Sequence, residues 1–433
     1  MSIYSVGKFS NQSKDMLKNF NIRRKKENIT SMRFSQDLKC NDLNGHRANI
    51  TQGKKVIRAK KIRLRPTKDQ EQQLRQSAGT ARWVFNWVLN MQEMNHRFGG
   101  KLLTNNALRK HVTQMKKRSK YAWLSQVSNN VAKQAVKDAC DAYQKWFNGL
   151  SGKSRLKVDK PRFKSRKKTK PAFYNDNVKL KVKAKSVLLE KIGWIKTSEQ
   201  LPMKTKYINP RISYDGKYWY LSVGIEKKCD KQKLTNEVLG IDLGIKNLAV
   251  VSNGKIYKNI NKTKKIRKIE KRLRRLQRKV SRKYEMNKEG NRFVKTCNIY
   301  KLEKNIRHIH RKLANLRQNH IHQTTTEIVK TKPSKIVVET LNVKGMMKNK
   351  HLAKSVAQQK FYEFKRQLQY KCEEYGIEFV EADRFYPSSK LCYECGHRKV
   401  NLKLKDRIYH CNKCSYTADR DHNASLNLAS YSA

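Results

Sequence analysis

Two Cys-x-x-Cys pairs, Cys392 with Cys395 and Cys411 with Cys414, stand fifteen residues apart near the end of the sequence. Each spacing suits a tight knuckle that turns two thiolates to the same side, and two knuckles complete the tetrahedral sulfur set of a structural Zn2+. His397 and His410 lie in the same stretch as alternative ligands, although four cysteines suffice. The other cysteines, Cys40, Cys140, Cys229, Cys297 and Cys372, lack pairing spacing, and no apolar leader opens the chain. A disulfide framework is therefore not expected; the reading is a reducing, cytoplasmic setting.

Charge decides the class of partner. Against 34 Asp and Glu the chain of 433 residues carries 100 Lys and Arg, a formal net charge of +66, with 37% hydrophobic residues. Such a balance opposes compaction unless a polyanion neutralises it, which points to nucleic acid. A membrane surface is the rival reading. No apolar run approaches the roughly 18 residues of a spanning helix, and the cations are not confined to one amphipathic helix, so no membrane partner is expected.

Composition and periodicity divide the chain. Residues 1–52 are polar and aperiodic, a poorly ordered extension to which no role is assigned. Ile57, Ile62 and Leu64 alternate with cations before Pro66, as in a strand with one solvated face, and Thr67 followed by Gln70 marks a helix start. Residues 67–150 then read as helical, with Trp83, Val84, Trp87 and Val88 and later Val131, Ala135, Ala139, Tyr143 and Trp146 at three- and four-residue spacings. These stripes are bundle core, with base stacking by Trp83 or Trp146 as the alternative. A cationic loop follows, in which Arg162, Phe163, Lys164, Arg166, Lys167 and Lys168 combine phosphate-binding charge with one stacking ring. Short β-prone runs to residue 235, with 53–66, suggest a small barrel around the helical insertion.

Two acids interrupt apolar strands. Asp242 sits inside Val238-Leu-Gly-Ile-Asp242-Leu, and Glu339 follows Ile336-Val-Val. A carboxylate there is costly unless cations pair with it, so both are metal-ligand candidates, with a solvent-facing strand end the alternative for Glu339. Asp421 precedes a short helical stretch after the second cysteine pair, with Asp419 as its competitor. Together Asp242, Glu339 and Asp421 form a catalytic set able to bind two Mg2+ or Mn2+ ions for phosphodiester hydrolysis. Between the first two acids, 262–320 carries two apolar seams, Ile266 to Val280 and Leu302 to Leu316, and reads as a helical hairpin. Lys271, Arg272, Arg274, Arg275 and Arg278 crowd its outer surface as expected phosphate contacts; a coiled-coil dimer is the alternative.

Gly240-Ile-Asp242-Leu-Gly, Val338-Glu339-Thr-Leu-Asn, Phe385-Tyr-Pro-Ser-Ser-Lys-Leu-Cys392 and Ala418-Asp-Arg-Asp421-His-Asn-Ala resemble, in order, the RuvC motifs and zinc ribbon of the TnpB family. The resemblance runs from about Val56 to the end, departing at the N-terminal extension and at Ser425, where alanine is common. It implies a multidomain α+β protein: a RuvC nuclease domain of RNase H-like α/β fold (236–386 and 415–433), a zinc ribbon (387–414), a wedge barrel (53–66 and 151–235) and a helical recognition lobe (67–150). It further implies a monomer, with a guide RNA from a transposon end and double-stranded target DNA as partners. The function implied is RNA-guided cleavage of DNA beside a short flanking motif through one RuvC site. A miniature type V CRISPR effector and a non-catalytic regulator of transposition remain the alternatives.

Overall fold

The computed structural model describes residues 55–154, 158–166, 169–203, 205–228, 232–403 and 406–432. The extension read over 1–52 lies outside them, as do Lys167 and Lys168.

Strand β1 (Lys55–Arg65) pairs antiparallel with a later strand from Lys55 opposite Lys228 to Leu64 opposite Trp219. Side chains alternate along it, so Ile62 and Leu64 are buried while Lys61 and Arg65 stay exposed. Pro66 ends the strand and Thr67 caps α1 (Lys68–Arg97). The Gln70 amide donates to Thr67 Oγ1 at 3.3 Å and the Thr67 amide to Gln70 Oε1 at 3.1 Å, a capping box. Helices α2 (Asn105–Lys116) and α3 (Asn129–Leu150) complete a bundle around Val84, Val88, Leu108, Leu124, Val136 and Tyr143. The tryptophans belong to this packing: Trp83 meets Trp123 edge-on at 5.2 Å, and Trp146 lies 4.7 Å from Phe147.

The chain then forms β2 (Ala172–Tyr174), β3 (Lys181–Lys183), β4 (Ser186–Leu189), β5 (Gly193–Thr197), β6 (Tyr207–Tyr214) and β7 (Trp219–Lys228). With β1 they make a seven-stranded antiparallel sheet in the order β2-β6-β7-β1-β5-β4-β3. One apolar cluster spans it from Phe173 on β2 to Leu189 on β4, and Leu74 of α1 and Val131 of α3 close over it.

A second sheet holds β8 (Val238–Leu243), β9 (Asn247–Val251), β10 (Ile256–Lys258), β13 (Lys335–Val338) and β14 (Glu378–Glu381), in the order β10-β9-β8-β13-β14. The first three form an antiparallel meander, and β8, β13 and β14 run parallel. The crossover into β13 contains the predicted hairpin: α4 (Lys264–Met286), a ribbon of β11 (Lys288–Glu289) and β12 (Arg292–Phe293), and α5 (Cys297–Lys330). Ile266, Leu273, Ile309 and Leu313 close its seam within one chain. The crossover into β14 passes through α6 (Val343–Lys348), α7 (Ala353–Gln359) and α8 (Phe361–Tyr375). After β14 come the cysteine knuckles with β15 (Ile408–His410) and β16 (Thr417–Asp419), then α9 (Arg420–Ala429).

Period-two alternation sorts the faces of this sheet. Leu239, Ile241, Leu243, Ile336 and Val338 pack with Phe364 and Leu368 of α8 and Ile321 and Ile328 of α5. Val238 and Val337 face the other way and pack with Leu428 of α9. Gly240, Asp242 and Glu339 are in phase with this second set, so both strand acids belong to the face that α9 covers.

Candidate functional site

Gly240 sets how near α9 can come. A Cβ built there would lie 2.0 Å from the Ser425 carbonyl oxygen and 2.3 Å from the Ala429 amide nitrogen, so only a glycine admits the helix. The helix thereby lies flat on β8, and its first turn carries Asp421 toward Asp242, one strand alternation beyond Gly240.

Asp242 is buried, at 9% exposure, and Glu339 partly covered. The Leu243 amide donates to Glu339 Oε1 at 2.8 Å and fixes its carboxylate beside β8. Burial, then the Glu339 and Asp421 carboxylates, raise Asp242 well above the usual carboxylate range. Burial, together with Asp421 and against the Leu243 N–H, raises Glu339 to about 7. The acids from β8, the end of β13 and α9 thus share one electrostatic neighbourhood.

Asp419 and Asp421 have separate tasks. Asp419 is the N-cap of α9, its Oδ1 accepting from the Asp421 amide at 2.9 Å and the His422 amide at 3.2 Å. Asp421 is left facing arginines: Arg420 Nη2 donates to its Oδ1 at 2.8 Å, and Arg407 Nη1 lies 3.8 Å from Oδ2. Arg420 also donates through Nη1 to the Asp406 carbonyl at 3.1 Å, tying the segment between the two cysteine knuckles to Asp421.

The four cysteine sulfurs lie within 4.8 Å of one another, with Cys392 to Cys414 and Cys395 to Cys411 both 3.6 Å. A zinc ion with Zn–S bonds of about 2.3 Å separates its sulfurs by about 3.8 Å, so the set fits tetrahedral Zn2+. His397 and His410 are not in this group; His410 Nδ1 lies 2.9 Å from Thr417 Oγ1. Among the described residues this is the one cluster of three or more His, Cys, Asp or Glu groups gathered so tightly, the carboxylates being more widely set.

Sequence reasoning missed the residues that join the two sites. Asn423 Nδ2 donates to the Leu391 carbonyl at 2.7 Å, its Oδ1 accepts from the Tyr393 amide at 3.2 Å, and Asn427 Nδ2 reaches the Leu391 and Ser388 carbonyls, each at 2.8 Å. Both amides are buried and clamp α9 to the first knuckle. Their signal was present as two asparagines one helical turn apart, the first of them two residues after Asp421.

The basic loop divides. Arg162, Phe163 and Arg166 are exposed, Phe163 at 61%. Lys164, expected to bind phosphate, instead turns inward. Its Nζ lies 3.3 Å from the centre of the Phe85 ring, and its backbone N–H and C=O both bond the Asn86 side chain, at 2.8 and 2.9 Å. Lys271, Arg272, Arg274, Arg275 and Arg278 are exposed on α4 and form no ion pair with a carboxylate among the described residues.

Three family models match in order along the chain: the helix-turn-helix domain HTH_OrfB_IS605 over residues 56–101, OrfB_IS605, described as "Probable transposase", over 220–350, and the Cas12f1-like TNB domain over 361–428. The chain is 29% identical over 390 residues to "Putative RNA-guided DNA endonuclease InsQ" of Escherichia coli (strain K12), covering 86% of this chain and 92% of that protein. It is 30% identical over 381 residues to "Putative RNA-guided DNA endonuclease" of Streptomyces pristinaespiralis, covering 86% of this chain and 89% of that protein. Among solved structures, the Cas12f1 chain of a Cas12f1–sgRNA–target DNA complex superposes with a TM-score of 0.54 at 14% identity, covering 87% of this chain and 99% of that one, a likeness of fold. The carboxylates on the α9 face, the cysteine cluster and these full-length relatives lead to one conclusion: the chain belongs to the TnpB family of RNA-guided DNA endonucleases.

Proposed function

We propose that the protein is a guide-RNA-directed nuclease that hydrolyses both strands of a DNA duplex beside a short flanking motif, through one RuvC-type site of Asp242, Glu339 and Asp421. The observation that carries this reading is geometric: Asp242 on β8 and Glu339 at the end of β13 belong to the sheet face that α9 covers, Asp421 enters in the first turn of α9, and burial with neighbouring carboxylates raises Asp242 and Glu339. Asp421 has arginine partners, while Asp242 and Glu339 are short of positive charge. An all-oxygen, charge-deficient donor set suits Mg2+ or Mn2+ and not a soft metal. Two such ions, when bound, supply water activation and stabilisation of the leaving 3′ oxygen. Asp242 would bind from a rigid strand, Glu339 is oriented by the Leu243 amide, and Asp421 is carried in by α9.

The cysteine set is read as a structural zinc ribbon that holds the start of α9. The seven-stranded sheet is read as the wedge barrel, supported by the apolar cluster shared by its outer strands. The hairpin seam, closed within one chain, supports a monomer.

The deciding experiment expresses the protein with its native flanking DNA, sequences the RNA that co-purifies, and assays cleavage of a matching duplex. One discrete RNA, guided cleavage and loss of cleavage in Asp242→Ala with RNA retained are expected. Heterogeneous RNA fragments without guided cleavage would overturn the reading in favour of a non-catalytic binder, and cleavage unaffected by Asp242→Ala would overturn the assigned site.

A further inference from the structure

Away from the carboxylates, the β6–β7 turn meets α5 around one aromatic ring. Tyr218 has three cations over its ring, Arg63 at 4.8 Å, Lys217 at 5.0 Å and Arg311 at 5.0 Å. Asp215 faces them: its Oδ1 accepts from the Lys217 and Tyr218 amides at 2.9 and 2.8 Å, and its Oδ2 lies 3.6 Å from Arg311. Beside this group a cavity of about 540 Å³ opens between the turn and the helical hairpin. Lys217, Arg272 and Lys312 line it together with the amide side chains of Asn305, Asn315 and Asn319, and its lining contains no carboxylate. In its wall, His308 Nε2 and Arg311 Nε are buried without a hydrogen-bond partner.

These features share one deficit. Clustered guanidinium and ammonium groups repel one another, and a buried polar atom without a partner is destabilising. A ligand bringing anionic acceptor oxygens offsets the repulsion among the exposed cations, and neutral amides in the same cavity suit the edges of a sugar or a base. The volume falls in the range of small-molecule sites, about 300–1,000 Å³, enough for one nucleotide.

We propose that this junction binds a single nucleotide of a nucleic-acid strand, its phosphate against Arg311, Lys312 and Lys217 and its sugar or base against the asparagine amides. The proposal rests on the nucleic-acid-binding reading above. It differs from general attraction by the α4 surface because the cavity gives the strand one fixed position, which makes it a register-setting site where the wedge sheet meets the nuclease insertion.

The test compares wild type with Lys217→Ala/Lys312→Ala and Asn315→Leu, all exposed side chains whose replacement is expected to leave thermal melting unchanged. Two probes are titrated against salt: the RNA that co-purifies with the protein, and a short random-sequence duplex DNA. The double variant is expected to lower the slope of log K against log salt by about 2 for one probe only. Asn315→Leu, which removes no charge, is expected to weaken that same probe at least about threefold. The RNA as responsive probe assigns a guide nucleotide, and the DNA assigns a target nucleotide. No slope change for either, or a slope change without an effect of Asn315→Leu, would overturn the site and leave only diffuse attraction. Wild-type protein that retains no discrete RNA defeats the guided-nuclease reading instead, and the junction is then decided by the DNA probe.

Discussion

The Ser425 carbonyl oxygen occupies the space that any side chain on Gly240 would need, since a Cβ there would lie 2.0 Å from it. Both partners are backbone, so relief requires moving α9. Gly240→Ala is expected to cost about 1–3 kcal/mol through overpacking. Because α9 carries Asp421, cleavage should fall about a hundredfold, more than stability alone explains. Thermal melting and single-turnover cleavage of one preparation check both. Unchanged cleavage would show that the helix position does not matter.

Raised acids give the metal-free site a pH signature. Glu339 rises from its ordinary 4.5 to about 7 in the folded protein, so folding takes up a proton there. Its contribution is full below pH 4.5 and is lost as pH rises through about 7, a decline of up to about 3 kcal/mol. Without Mg2+ and with zinc retained, the stability difference between wild type and Glu339→Gln should therefore shift against wild type between pH 5 and about 7.5. Adding Mg2+ should restore wild type most at the higher pH and leave the variant little changed. Denaturant titration at several pH values measures it.

The sulfur cluster predicts one zinc per chain. Cys411→Ser should release it, measured by metal analysis, and reduce cleavage at least about tenfold without touching a carboxylate, because the first knuckle anchors Asn423 and Asn427. Asn423→Ala should keep the zinc yet cost about 1–3 kcal/mol by unpairing the Leu391 carbonyl and the Tyr393 amide.

In the basic loop, Phe163→Ala should weaken single-stranded nucleic-acid binding about tenfold, a stacked ring being worth about 1–3 kcal/mol. Lys164→Met should leave the salt dependence of binding unchanged. Burial already depresses the Lys164 pKa, and its ammonium is engaged by Phe85. Filter binding at several salt concentrations separates the two residues.

How much of this was legible in the sequence depends on whether a signal is periodic or three-dimensional. Asp242 and Glu339 were visible because a carboxylate breaks an apolar strand, and alternation along β8 and β13 puts both on the α9 face. The hairpin seam and the Thr67 cap were visible for the same reason: local periods and caps need no tertiary information. The sequence leaves Asp419 as a competitor of Asp421, since only the start of α9 reveals which carboxylate bonds the backbone. Lys164 differs from its neighbours in a way composition does not carry, since composition counts cations without saying which one meets Phe85. Gly240 is visible in the sequence only as part of a motif, and its physical reason lies in a helix 185 residues further along.

The shared guanidinium of Arg420 bears on modularity. One side chain spans the Asp406 carbonyl and Asp421, and the amide clamp on Ser388 and Leu391 starts from the same helix. A graft bounded by the cysteines would part these donors from their acceptors. The smallest unit that keeps these pairs together therefore runs from Asp383, whose amide donates to the Tyr431 hydroxyl, through Tyr431, so the cysteine knuckles and Asp421 must be inherited together.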